Sequence, residues 1–432
     1  MMNDATFRAL ESEVRTYCRS FPTVLRNAAG SLVEDEEGRQ FIDFLAGAGA
    51  LNYGHNHEHI KRAVLDYLQQ GGILHSLDLH TVAKRQFIET FNDVILSKRG
   101  LEYRLMFPGP TGTNAVEAAL KIARKVTKRS TIAAFTNGFH GMSLGSLAAT
   151  GNSSKRRGAG VALDNIVRFP FDGYYGKEID TIAMAEKLLE DPGSGIDPPA
   201  AFLVETVQGE GGLNTASDPW LRRLASLCER INALLIVDDI QAGCGRTGSF
   251  FSFEPAGIVP DIVCLSKSIG GIGLPFALVL IKPRHDQFSP GEHNGTFRGH
   301  NLAFVAATAA LDFWRTDEFC RSVRNKSAYL LNRLTSIANR HLAGEAQVRG
   351  KGFLVGIAME RPGLAESVSS AAFRRGLIVE TCGPHDKVLK LLPPLTIERA
   401  LLQKGLDIIE DAVIEAAGSG GEDFAASSEA AE

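Results

Sequence analysis

The stretch LLIVDDIQAGCGRTGSFFSFEPAGIVPDIVCLSK, residues 234 to 267, decides the fold. It opens with an apolar run that ends in Asp238 and Asp239, passes a glycine-punctuated turn, and closes with Ile262 to Leu265, separated from Lys267 by Ser266 alone. Both runs are short, rich in β-branched or large aliphatic residues and bounded by turn formers, so both read as strands buried on two faces. A carboxylate and an amine then stand just past the C-terminal ends of two strands. In open α/β sheets that edge is where ligands bind.

Upstream, FPGPTGTNAVEAALKIARK (107–125) places apolar residues at 115, 116, 119, 120 and 123, one face of a helix. Thr111, Gly112 and Thr113 precede that face, and free amides at a helix start together with hydroxyls make an anion seat. No Gly-Lys-Ser/Thr follows, so this is not a Walker loop. A strand over 131–136 leads into NGFHG (137–141), where Phe139 can lie flat on a conjugated ring. AAFLVETVQGEGG (200–212) is a further strand ending in a carboxylate, Glu205, followed by a helix for which Asp218 is the expected cap and Pro219 the first residue. Glu205, Asp238 and Lys267 are thus delivered to one edge by three strand ends.

An amine and an acid so placed suit an electron-sink cofactor, because pyridoxal phosphate needs a lysine to hold it and a carboxylate to keep its ring nitrogen protonated. Gly243, Gly245 and Gly248 also fit G-x-G-x-x-G, which leaves a nicotinamide-dependent oxidoreductase as a remote alternative. That fingerprint requires a helix opening at its third glycine, whereas SFFSFEPAGIVPD has two prolines and no helical period.

The bulk numbers fit this reading. At 432 residues the chain exceeds one comfortable core, and two domains are expected. With 44% hydrophobic residues, 22% charged and a net charge of −4, it carries no electrostatic footprint for nucleic acid or an anionic membrane. No apolar run approaches the roughly 20 residues of a membrane span, and MMNDATFRALESEV has no apolar signal core, so a cytoplasmic protein is expected. The six cysteines are dispersed without a C-x-x-C pair. His55, His57 and His59 in GHNHEH could chelate, but with no fourth ligand nearby the expectation is no metal.

The stretch from Asp238 to Lys267 resembles the signature of the class III, fold type I aminotransferases: an acid pair, then Gly-x-Gly-Arg-Thr-Gly at 243–248, then a strand and the lysine. The resemblance extends from about residue 5 to 416 and implies an α/β protein with a mostly parallel central sheet in a large domain plus a small α+β domain. The expected division is an N-terminal segment (1–60) contributing to the small domain, a large cofactor-binding domain (61–315), a small C-terminal domain (316–417) and, because its residues are small, polar and acidic, a disordered acidic tail (418–432). Residue by residue, it implies Lys267 and Asp238 as catalytic, on the cofactor's aldehyde carbon and ring nitrogen. Cofactor contacts are implied at Thr111, Gly112, Thr113, Phe139, His140, Glu205 and Gln241, and at Thr296, which would reach the phosphate of a neighbouring subunit in an obligate homo-oligomer. Glu210 would line the acceptor pocket beside an arginine whose place is taken by Lys390, a change that loses the planar fork for a carboxylate. Asp239 stands where Glu is usual, and Thr206 where Pro is.

The activity implied is transfer of the amino group of L-glutamate to L-aspartate 4-semialdehyde, in the route to the compatible solute ectoine. Ornithine, 4-aminobutyrate and siderophore-pathway diaminobutyrate aminotransferases remain open, because every cofactor residue would be shared.

Overall fold

The computed structural model describes residues 5–418. The expected acidic tail, apart from Gly418 at the end of the closing helix, lies outside the described residues.

Seven strands build the central sheet: β1 (Arg104–Met106), β2 (Ile132–Phe135), β3 (Ile166–Phe169), β4 (Ala201–Val204), β5 (Leu234–Asp238), β6 (Ile262–Leu265) and β7 (Leu278–Ile281). Their order is β1-β7-β6-β5-β4-β2-β3. Six strands run one way and β7 alone runs against its neighbours, so the sheet is mostly parallel, as expected. Alternation along each strand sends side chains to two cores. Phe202, Val204, Leu235, Val237, Val263 and Leu265 face one, and Leu203, Leu234, Ile236, Ile262 and Cys264 the other. The second face is covered by α1 (Gly112–Thr127) through Ala115, Val116, Ala119, Leu120 and Ala123. Burial on both sides explains why these strands read as continuous apolar runs.

A second, antiparallel sheet runs in the order 346–351, 354–359, 388–391, 380–382. It shares a core with the helices Glu318–His341, Leu364–Arg374 and Arg399–Gly418. The strands flanking the Asp-Glu-Glu-Gly turn at 35–38 form an N-terminal hairpin that pairs Val33 with Phe41, and Gln40–Asp43 is then joined in parallel by Leu377–Ile378. Leu377–Ile378 and Glu380–Cys382, separated by Val379 alone, are therefore two short strands in different sheets. The helix cap expected at Asp218 is Ser217, whose hydroxyl accepts the Trp220 N–H, with Asp218 already inside the helix. Among the described residues no helix is long and apolar enough to cross a membrane.

Candidate active site

At the C-terminal edge of the central sheet a cavity of about 180 Å³ is lined by Gly112, Thr113, Phe139, His140, Gly141, Glu205, Glu210, Asp238, Ile240, Gln241 and Lys267. Strand ends and helix termini converge here because β2, β4, β5 and β6 are parallel neighbours, so their exits open on one side.

Asp238 ends β5. Its carboxylate meets the Nδ1 of buried His140 at 2.8 Å and accepts the Ile240 N–H at 3.2 Å. Burial pulls His140 down, but the hydrogen bond and charge of Asp238, with the charge of Glu205, outweigh it and leave His140 above its ordinary value. Asp238 is thereby held against a ring that favours the protonated form. Glu205 leaves β4 and accepts the Phe139 N–H at 2.9 Å and the Gly209 N–H at 3.3 Å, which fixes the turn carrying the aromatic ring. Its carboxyl is pushed up to about 7 by burial, with the nearby Asp238 charge adding to the shift. The turn at 209–211 reaches these residues only because of its glycines: a Cβ at Gly211 would stand 2.2 Å from the Asn137 carbonyl, and one at Gly209 1.6 Å from Gln241 Oε1.

Lys267 follows β6 with φ at +53°, a left-handed conformation that costs a residue with a side chain roughly 1–2 kcal/mol. Its Nζ donates to the Ala48 carbonyl at 2.9 Å. Burial, with Lys390 adding, lowers its pKa against the opposing pull of Glu210. The amine is thus shifted toward the neutral form that can act as a base or nucleophile.

Glu210 is the link to the second sheet. Its Oε1 accepts from Lys390 Nζ at 2.7 Å and from Gln241 Nε2 at 3.2 Å. Lys390, with no exposed surface, also forms an ion pair with Glu380 at 3.0 Å, its direct cross-strand neighbour. Burial opposes the charge on Glu210, but Lys390 dominates and holds that carboxyl down to about 2. The two carboxylates in turn hold Lys390 well above its usual value despite burial. Glu380 itself is raised by burial.

Of the residues singled out in the sequence, Gly112, Thr113, Phe139, His140, Glu205, Glu210, Asp238, Gln241 and Lys267 meet around the cavity. Three do not line it. The Thr111 hydroxyl is turned onto Asn114 Oδ1 at 2.8 Å, where it serves the start of α1. Lys390 lies behind Glu210. Thr296 is exposed in a surface turn and gives its carbonyl to His75. The three histidines of GHNHEH separate: His55 pairs with Asp43, His59 with Asp312, and His57 packs edge-on to Phe313. Two acids escaped the sequence reading, Glu380 in LIVETC and Asp43 in FIDFLAG. Their signal was an isolated carboxylate inside an apolar run, a position that needs a partner.

A family model described as Aminotransferase class-III matches residues 15–413. A Sporosarcina pasteurii protein named diaminobutyrate--2-oxoglutarate transaminase is 57% identical over 407 residues, covering 94% of this chain and 95% of the relative. A protein of the same name from Halalkalibacterium halodurans is 56% identical with the same coverage. Among solved structures, an ornithine aminotransferase from Toxoplasma gondii, with PLP partially occupying its active site, superposes with a TM-score of 0.83 at 25% identity. That alignment covers 95% of this chain and 94% of the other.

Proposed function

The chain belongs to the class-III aminotransferases, and from that premise we propose that it moves the amino group of L-glutamate to L-aspartate 4-semialdehyde, giving L-2,4-diaminobutyrate and 2-oxoglutarate. This places it at the first committed step towards ectoine, in the cytoplasm. The full-length similarity to proteins named diaminobutyrate--2-oxoglutarate transaminase supports the substrate pair. The observation that carries the chemistry is the placing of Lys267 and Asp238 at adjacent parallel strand ends on one small cavity.

Pyridoxal 5'-phosphate is the cofactor of this family, and the residues present fit it. The cavity offers one amine, a carboxylate at the adjacent strand end (Asp238), an aromatic wall and the amino end of a 16-residue helix, the donor set for an aldehyde, a pyridine nitrogen, a ring face and a phosphate. Gln241 Oε1 is a buried acceptor on this cavity without a hydrogen-bond partner. When bound, the cofactor supplies the electron sink that lets an amino group be carried from one substrate to the other.

The chain's own residues do the rest. The first amides of α1, at Gly112 and Thr113, hold an anion by free N–H groups and the helix dipole. Phe139 walls one side, its amide pinned by Glu205. Asp238, braced by His140, stabilises positive charge at its Oδ atoms. Lys267 Nζ, shifted toward the neutral form by burial and held by Ala48, would take the proton from the substrate carbon that bears nitrogen and return it to the atom on the far side of that nitrogen. Glu210, backed by Lys390 and Glu380, meets the far end of the substrate. The partners are small amino acids and an aldehyde. Exposed Thr296, next to Phe297 with 65% of its surface open, supports a homo-oligomer in which that turn reaches a neighbouring site.

The test is spectral. The cofactor-loaded protein is challenged separately with L-2,4-diaminobutyrate, glutamate, ornithine and 4-aminobutyrate while its long-wavelength absorbance is followed. Loss of the band with diaminobutyrate and glutamate supports the reading; preferential loss with ornithine or 4-aminobutyrate overturns the substrate pair and leaves the aminotransferase.

A further inference from the structure

Residues 46–49 form four successive left-handed residues, with φ of +47° at Ala46, +60° at Gly47, +54° at Ala48 and +85° at Gly49. Two of them carry a Cβ, so the turn is sterically unfavourable and persists only because its surroundings fix it. What it presents is a row of carbonyls aimed at the site. Ala48 O accepts from Lys267 Nζ at 2.9 Å and from Gln241 Nε2 at 3.0 Å, and Gly49 O accepts from Ser268 Oγ at 2.7 Å.

The turn is clasped at its start by one buried carboxylate. Asp43 Oδ1 accepts the Leu45 and Ala46 N–H groups, each at 2.8 Å, and Asp43 Oδ2 meets His55 Nε2 at 2.7 Å. His55 is itself fixed by reciprocal backbone hydrogen bonds with Gly30, both 2.8 Å. A chain of short contacts therefore runs from the N-terminal hairpin through Asp43 and the strained turn to the amine of Lys267.

We propose that Asp43 is a positioning residue for Lys267: by clasping the left-handed turn it sets the Ala48 carbonyl where it takes one N–H of the amine and leaves the nitrogen lone pair facing the cavity. This rests on the role given to Lys267 above. The geometry is that of a base oriented by a third group, here a main-chain carbonyl whose direction a side chain controls. Asp43 itself does not line the cavity. The lowered pKa of Lys267 agrees with the arrangement, since a neutral amine has a lone pair to orient.

The test uses the cofactor-stripped full chain and free pyridoxal phosphate, with the growth of absorbance giving the capture rate, alongside steady-state turnover of the loaded enzyme. D43A is expected to slow capture about tenfold and to lower kcat by a similar factor, with KM for glutamate within about twofold, because orientation and not substrate binding is lost. D43N, which keeps an oxygen acceptor for the two amides, recovers most of both rates. S268A, which frees only Gly49 O, slows capture about threefold and keeps the assay informative if D43A does not fold. Wild-type capture in folded D43A, an effect on KM alone, a D43N as slow as D43A, or no change in S268A when D43A is unfolded would each overturn the proposal. No capture by the wild-type chain would instead overturn the cofactor reading on which it rests.

Discussion

Replacing Lys390 with methionine removes the ammonium that pairs directly with both Glu210 and Glu380. Lys390 has no exposed surface, and its ammonium lies 2.7 Å from one carboxylate and 3.0 Å from the other. Methionine fills similar volume, so the loss is electrostatic: breaking a buried pair from one side costs about 3–5 kcal/mol, because uncompensated charge stays behind. In a chain of this length that is a fall in Tm of about 4 °C. The pH dependence separates this cause from bad packing. In the wild type Glu210 is held down to about 2, so its contribution is full above the ordinary carboxylate range and fades only as pH falls towards 2. In K390M both acids are pushed up by burial, so the penalty appears above their unfolded values and disappears when they protonate. The deficit against wild type, read by thermal and urea unfolding of the cofactor-free proteins, is therefore largest at pH 8, smaller near pH 5 where the penalty on the raised acids has gone, and lost altogether only as pH falls towards 2. Adding E380Q, which removes one of the two stranded charges, recovers about half of the loss at pH 8. An equal deficit at both pH values, or no deficit at all, would refute the electrostatic account.

Three further outcomes follow from particular contacts. K267A abolishes transamination while far-ultraviolet dichroism and Tm remain close to wild type; persistent turnover would remove Lys267 from the mechanism. Asp239 has no exposed surface, its Oδ1 has no hydrogen-bond partner, and burial pushes it up from 3.8 to about 7. An acid raised in this way costs nothing below its unfolded value and an increasing amount up to its folded one, so D239N stabilises by up to about 4 kcal/mol at pH 8 and by little at pH 4, checked by denaturation at both. S217A, losing the hydroxyl that caps Asp218–Arg230, lowers stability by about 1 kcal/mol in urea unfolding, whereas the neighbouring D218A has a smaller effect.

The central sheet was legible because burial on both faces writes a continuous apolar run into each strand, and the chemistry was legible wherever an acid or amine ended such a run, as at Glu205, Asp238 and Lys267. The second sheet was harder to read. Leu377–Ile378 and Glu380–Cys382 are one apolar stretch in sequence, and their division between two sheets is decided by distant partners, Gln40–Asp43 for the first and Val388–Leu391 for the second. Helix ends were legible to within a residue or so, since Ser217 and Asp218 are both good caps and only the backbone distinguishes them.

What sequence reading missed in the site shares one physical feature: each contact uses either the main chain or a charge that reads as an anomaly. Lys390 looks like a weakened carboxylate receptor when set beside the family's arginine. Its cross-strand neighbour Glu380 changes that meaning, because a buried lysine shared by one buried and one partly buried carboxylate is a structural counter-ion before it is a ligand. Similarly, the Ala48 carbonyl has no side-chain signature, yet it is the group that holds Lys267 across a separation of 219 residues. The cofactor-facing half of the site is specified by residue type at strand ends, and the half that orients the reacting amine is specified by backbone conformation. A substitution survey confined to charged and polar side chains would therefore find Asp238 and Lys267 readily, and would reach the Ala48 carbonyl only through Asp43, the side chain that fixes its direction.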